Sequence, residues 1–164
     1  MGGHHLAQVN VAIPLQPLES PLLAEFVAGL EPVNALADAS PGFVWRLQDE
    51  SGDATAIRAF EDERMLVNMS VWESLEALRG FVYGTEHRRF MVRRREWFEQ
   101  LRPVLALWWL PAGSRPSLED AKRRLEALQR NGPTPYAFTF RVSFPPPGAA
   151  AVEPRCDDRE LCPS

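Results

Sequence analysis

His87 is the residue best suited to acid–base chemistry in this chain of 164 residues. An imidazole has an ordinary pKa of about 6.5, so both of its protonation states exist near neutral pH. His87 precedes Phe90 and Met91 by about one helical turn, which predicts a position close to a buried helix face. We therefore treat it as a candidate general acid/base or axial haem ligand; the alternative is a structural histidine.

Side chains that could bind a substrate occur on the predicted strands. Asn10 and Gln8 lie opposite the aliphatic face of the first strand, where they would orient a substrate or bond across a dimer seam. Arg46 could hold an anionic group by a bidentate contact, and a surface ion pair is its ordinary alternative. Trp45 and Trp72 are expected in the core or an interface, because each ring can bury a large apolar area.

Apolar periodicity predicts the elements that must position these side chains. The predicted strands cover residues 6–13, 43–47, 65–71, 104–110 and 137–144. The predicted helices cover residues 21–39, 70–83 and 117–132, with a further helical stretch between Gly84-Thr85 and Pro103. Ser70 with Glu73 has the spacing of an N-terminal capping box, and Ser117 with Asp120 repeats it.

This order of elements predicts an α+β fold. It contains the β-α-β-β-α-β unit of ferredoxin-like folds, followed by an extra helix and strand at the C-terminus. An open sheet of this kind has one face covered by helices, and we expect a second copy of the chain to cover the other, as in a dimeric α/β barrel. Residues 1–146 would form this single domain, and the polar, proline-interrupted residues 147–164 would form a disordered tail.

Charge and composition argue against several classes of protein. The net charge of −4 and the pI near 5.4 give no overall attraction to nucleic acid or to an anionic membrane. The arginines between His87 and Arg102 are expected to form a solvated helix face. No apolar run approaches the roughly 20 residues that cross a bilayer, and the N-terminus has no signal-peptide pattern, which favours the cytoplasm.

Metal and phosphate-binding patterns are also missing from the sequence. His4 and His5 have no carboxylate or cysteine at ligand spacing, so we predict no metal site. Cys156 and Cys162 lie close together near the C-terminus and are expected to be free thiols. The glycine-rich nucleotide loops and the G-x-S-x-G elbow are absent.

Several tryptophan-bearing segments resemble the family known as domain of unknown function 3291. They are SPGFVWRL (40–47), VNMSVWE (67–73), LRGFVY (78–83), residues 87–98 with RREWF, LWWLPAG (107–113) and GPTPYAFTF (132–140). The resemblance runs from about residue 6 to residue 144. That family is similar to the dimeric α/β barrels, which include antibiotic-biosynthesis monooxygenases and haem-degrading enzymes.

The resemblance implies a pocket between the helices and the sheet, and three functions stay open. The first is a small-molecule enzyme, a cofactor-independent monooxygenase-like or tailoring enzyme, in which His87 acts on an apolar or aromatic substrate held by Asn10, Trp45, Arg46, Trp72 and Phe81. The second is a haem-binding protein. There Asn10, Phe81 and His87 would occupy the positions that surround the porphyrin in the haem degraders. The third is a non-catalytic dimeric binding module.

Overall fold

The computed structural model describes residues 3–48, 62, 64–100, 104–148 and 155–156. The strands are β1 (His4–Ala12), β2 (Phe43–Arg46), β3 (Leu66–Trp72), β4 (Leu105–Pro111), β5 (Val142–Ser143) and β6 (Arg155–Cys156). The helices are α1 (Ala24–Ala39), preceded by a 3-10 turn at Pro21–Leu23, α2 (Leu75–Val82), α3 (Thr85–Val92), α4 (Arg94–Trp97) and α5 (Leu118–Asn131). No helix within these ranges is long and apolar enough to cross a bilayer.

Four strands form one antiparallel sheet in the order β2-β3-β1-β4. This is the strand order of a ferredoxin-like unit, so the predicted α+β class is confirmed. β1 lies in the middle and pairs with β3 and β4. Gln8 on β1 stands directly opposite Ser70 on β3 and Leu107 on β4.

The two faces of this sheet bury different side chains, because successive residues of a strand point to opposite sides. On β1, Ala7, Val9 and Val11 belong to a core that includes residues of α5. Gln8 and Asn10 face the opposite side, where α1 to α4 lie, and line a cavity there. The functional site is built on this second face, which we call the cavity face.

The prediction that one sheet face is left bare for a second copy is wrong. α5 of the same chain folds back over that face and buries Leu125 and Leu128 against it. Trp108 on β4 is consequently only 2% exposed in the single chain. The apolar stripe that makes α5 amphipathic accounts for this packing, since it needs an apolar surface to cover it.

One of the two predicted helix caps is confirmed. The Ser117 hydroxyl accepts a hydrogen bond from the backbone N–H of Asp120 at 3.0 Å and begins α5. Ser70, by contrast, stays within β3, and α2 begins later, where the Ser74 hydroxyl accepts from the N–H of Ala77. The strand extends past Ser70 because β3 is paired on both sides, with β1 and β2.

The predicted strand over residues 137–144 is mostly irregular. Phe138 alone pairs with Leu107 at the outer edge of β4, by two backbone hydrogen bonds of 2.8 and 2.9 Å. β5 follows and pairs with β6 in a separate two-stranded ribbon. Most of residues 147–164 lies outside the described residues, so the disorder of the tail stays a prediction.

Candidate active site

A cavity of about 230 Å³ lies between the cavity face of the sheet and the helices α1 to α4. The strands contribute polar side chains and the helices contribute mainly apolar ones. Pockets for small molecules typically combine a mostly apolar wall with a few placed polar groups. Its composition and position therefore make this cavity the candidate active site.

The polar side chains form a hydrogen-bonded row across β1 and β3, which we call the polar row: Trp72, Ser70, Gln8, Asn68 and Asn10. Gln8 is at its centre and is 4% exposed. Its Nε2 donates to Ser70 Oγ and to Asn68 Oδ1, each at 2.8 Å. Asn10 Nδ2 donates to Gln8 Oε1 at 3.1 Å and to Asn68 Oδ1 at 3.2 Å. These bonds all lie within one chain.

The polar row leaves particular groups available to a ligand. Ser70 Oγ accepts from both Gln8 and the Trp72 indole, at 2.8 and 2.9 Å, so both of its lone pairs are used. Its own hydrogen finds no acceptor among the described residues, and neither does the Nδ2 group of Asn68. A bound molecule would thus meet hydrogen-bond donors that are already held in place.

His87 lies on α3 and lines the same cavity. Its Nδ1 is 3.0 Å from the carbonyl oxygen of Val82. Because a carbonyl only accepts, Nδ1 carries the proton, and the neutral ring has its lone pair on Nε2. No hydrogen bond to Nε2 is found within the described part of the chain. His87 therefore offers a proton acceptor in a fixed tautomer.

The surroundings of His87 favour its neutral form. Burial lowers the pKa of His87 below its ordinary value, and the hydrogen bond to the Val82 carbonyl opposes this shift only in part. A histidine that is neutral at pH 7 can accept a proton from a substrate without first losing one.

Aromatic rings connect the polar row to His87. The rings of Trp72 and Phe81 are stacked, with centroids 5.3 Å apart and an interplanar angle of 23°. Phe81 in turn contacts the imidazole of His87, with centroids 4.9 Å apart. All three line the cavity, so the structure brings together these three predicted site residues and Asn10.

Trp45 lies away from the cavity, on the α5 side of the sheet. A register irregularity in β2 between Phe43 and Trp45 explains this position. Without it, Trp45 would pair with Ser70 on the cavity face; with it, Trp45 pairs with Val71 on the other face. The predicted contact between Trp45 and a substrate in this cavity therefore has no geometric basis.

The same irregularity turns Arg46 toward the cavity. Arg46 stands opposite Ser70 and lines the cavity, but its guanidinium is paired with Asp38 on α1 at 2.8 Å. The ion pair that the sequence offered as the alternative is therefore present. An anionic ligand would have to compete with Asp38 for this side chain.

Arg94 is a charged cavity residue that the sequence did not predict. It was grouped with the solvated arginines, yet it lines the cavity and is partly buried. His87, Met91, Arg94 and Phe98 follow one another at spacings of four, three and four, and all four line the cavity. That spacing was the available signal, since residues three or four apart share one helix face.

No cluster of three or more histidine, cysteine or carboxylate side chains suited to hold a metal ion occurs among the described residues. The cavity lining contains amides, a hydroxyl, one imidazole and two guanidinium groups as its polar side chains. Such a set suits the binding of an organic molecule by hydrogen bonds and charge.

Several solved structures are similar to this chain in fold. Rv0793 from Mycobacterium tuberculosis is 18% identical, with a TM-score of 0.46 over 69% of this chain and 99% of that one. PA3566 from Pseudomonas aeruginosa is 13% identical, with a TM-score of 0.45 over 68% and 97% of the two chains. SnoaB from Streptomyces nogalater, a cofactor-independent oxygenase, is 17% identical, with a TM-score of 0.41 over 71% of this chain and 98% of that one.

No curated protein sequence matches this chain. The model of one family, described as a domain of unknown function, matches residues 5–154. Because that match spans nearly the whole sequence, the chain belongs to the family DUF3291.

Proposed function

We propose that this chain is a small-molecule enzyme in which His87 removes a proton from an apolar, aromatic substrate in the cavity. The reaction we favour is a monooxygenation without a cofactor, and SnoaB, one of the similar solved structures, is described as a cofactor-independent oxygenase. Other tailoring reactions that begin with removal of a proton fit the same site. The proposal rests on the site's own geometry.

The tautomer of His87 is the observation that carries this proposal. Its Nδ1–H is bound to the Val82 carbonyl, which leaves Nε2 as an acceptor on a side chain that lines the cavity. Phe81 and Trp72 beside it supply a flat apolar wall for an aromatic ring. Held in this way, the imidazole would contribute through general base catalysis and positioning of the substrate.

The proposed oxygenation balances with molecular oxygen as the only co-substrate. A methylene flanked by aromatic rings loses a proton to Nε2 of His87, and the resulting carbanion is oxidised by O2. The carbon loses two hydrogens and gains one oxygen atom as a ketone, while the second oxygen atom leaves as water. Ser70 and Asn68 would donate hydrogen bonds to the oxygen that becomes negatively charged.

Oxygen uptake with anthrone as the probe tests this proposal, because its methylene between two rings is a carbon acid. We expect the purified full chain to convert anthrone and O2 to anthraquinone and water. His87→Gln should slow the reaction by about 100-fold or more, the usual contribution of a general base. His4→Gln, which changes a histidine outside the cavity lining, should keep the wild-type rate. Equal rates for wild type and His87→Gln would refute the role of His87.

The volume of the cavity argues against the haem hypothesis, whereas the orientation of His87 is compatible with it. The orientation of His87, with Nδ1–H bound to a carbonyl, suits an imidazole ligand. However, pockets for drug-sized ligands span about 300–1,000 Å³, and a porphyrin exceeds such ligands. The cavity of about 230 Å³ is smaller than that range, which favours a smaller ligand. An absorption spectrum after haem titration tests this: a Soret band that His87→Ala abolishes would restore the haem hypothesis.

The non-catalytic module is the remaining alternative, and the open cavity beside His87 argues against a pocket filled by its own side chains.

Homodimerisation and a cytoplasmic location also stay proposals. Light scattering on the full chain tests the first, since a monomer has a mass of 18.5 kDa.

A further inference from the structure

Arg94 brings a positive charge to the cavity wall without a carboxylate partner among the described residues. Its one hydrogen bond among those residues is donated by Nη2 to the Val11 carbonyl oxygen at 3.5 Å, which is the outer limit for such a bond. The arginine before it differs clearly, because Arg93 is bonded to both Glu25 and Glu96. Arg46, the other arginine of the cavity, is paired with Asp38.

The rest of the cavity does not compensate this charge. Its lining contains no aspartate and no glutamate among the residues that the structure describes. Burial lowers the pKa of Arg94, and no neighbouring charge contributes to that shift. A guanidinium nevertheless stays protonated in proteins. The cavity is thus locally positive within a chain whose net charge is −4.

We propose that the natural ligand of this cavity is an aromatic carboxylate whose acidic group binds the guanidinium of Arg94. The inference rests on the proposed function in naming the substrate class for the same cavity. An unpaired, partly buried charge is unfavourable in the empty protein, and a carboxylate would supply the missing partner with bidentate geometry.

The positions of the neutral His87 imidazole and the Arg94 guanidinium set the outline of this ligand. His87 lies on α3 and Arg94 begins α4, and both side chains line the cavity. Phe81 and Met91 line the same cavity and would contact an apolar body between them. The carboxylate would lie at Arg94, and the group that loses a proton would lie at His87.

Binding of 2-naphthoate and its neutral analogue 2-naphthamide to the full chain, measured by calorimetry, tests the inference. Wild type should bind the carboxylate at least 10-fold more tightly than the amide. Arg94→Gln should weaken naphthoate binding by about 10- to 100-fold, the range for a lost charge-assisted hydrogen bond. Naphthamide binding should change little. Arg94→Lys, which keeps the charge, should retain part of the preference for the carboxylate.

Arg95→Gln is the matched control, since it removes the same charge from the exposed neighbouring residue. It should leave both affinities unchanged, and circular dichroism should show that all variants are folded. No binding of naphthoate, equal affinity for the two probes in wild type, or equal losses for both in Arg94→Gln would overturn the inference. His87→Gln should still bind naphthoate. Arg94-dependent binding of naphthoate by a wild-type chain that does not turn over anthrone would count against the proposed function alone.

Discussion

The side-chain amide of Gln8 on β1 donates to the hydroxyl of Ser70 on β3 at 2.8 Å, and these two residues are direct cross-strand partners. The bond is buried and lies on the face of the sheet that forms the cavity. Ser70 also accepts from the indole of Trp72, which is 1% exposed. One hydroxyl therefore satisfies two buried donors and fixes the middle of the polar row.

Ser70→Ala should lower the free energy of unfolding by about 1–3 kcal/mol, because it leaves the buried Trp72 indole N–H without its acceptor. Urea denaturation at pH 7 measures the change. Ser114→Ala, at an exposed position after β4, should stay within about 0.5 kcal/mol of wild type. Equal stability of the two variants would show that the polar row does not stabilise the fold.

The free energy of unfolding should depend on pH through His87. Burial lowers the pKa of His87 in the folded chain below the ordinary value of about 6.5. As the pH falls through 6.5, the unfolded chain therefore binds the proton first, and the stability contributed by neutral His87 is lost down to the folded pKa. Wild type should lose more stability between pH 7.5 and pH 5 than His87→Gln does, as measured by urea denaturation at both pH values. An identical loss in the two proteins would contradict the buried, neutral state of His87.

Gly42 fixes how α2 sits beside β2. Its φ is +81°, and a Cβ there would lie 2.5 Å from the Cβ of Ala77. Gly42→Ala should cost about 2–4 kcal/mol in unfolding free energy, because left-handed backbone strain and overpacking both oppose it. Gly113→Ala is the matched control, with φ of +88° but open space around its Cβ position, and should cost only about 1–2 kcal/mol. Similar losses in urea denaturation would indicate that α2 shifts freely away from Gly42.

Sequence periodicity predicted the four sheet strands because their apolar residues must be buried. It could not predict that α5 covers the sheet face of Trp108, because an amphipathic helix and a second subunit can each bury the same apolar surface. The reading of Ser70 as a cap was wrong for a related reason. A serine three residues before a glutamate matches the capping pattern, but the same spacing also occurs in strands. Only the pairing of β3 with its neighbours shows that Ser70 belongs to a strand.

The candidate site was predictable where it depends on strand alternation and helix spacing. Asn10, Trp72, Phe81 and His87 line the cavity for those reasons. The position of Trp45 depends on a β-bulge, which shifts a side chain to the other face without a distinct sequence signal. Arg94 was missed because an arginine among arginines is usually solvated, and its lack of a carboxylate partner among the described residues appears only in three dimensions.

Arg94→Met should raise the stability of the empty protein by about 1 kcal/mol, because it replaces an unpaired, partly buried charge with an apolar side chain of similar length. Thermal unfolding without ligand measures this change, and Arg95→Met at the exposed neighbouring position should change the midpoint little.

Naphthoate at about 100 times its Kd should stabilise wild type by about 2.7 kcal/mol, because it binds preferentially to the folded chain. The same concentration should stabilise Arg94→Met far less. This opposite response separates a ligand-binding residue from a structural one: a residue kept for stability would give a lower midpoint on substitution, with or without the carboxylate.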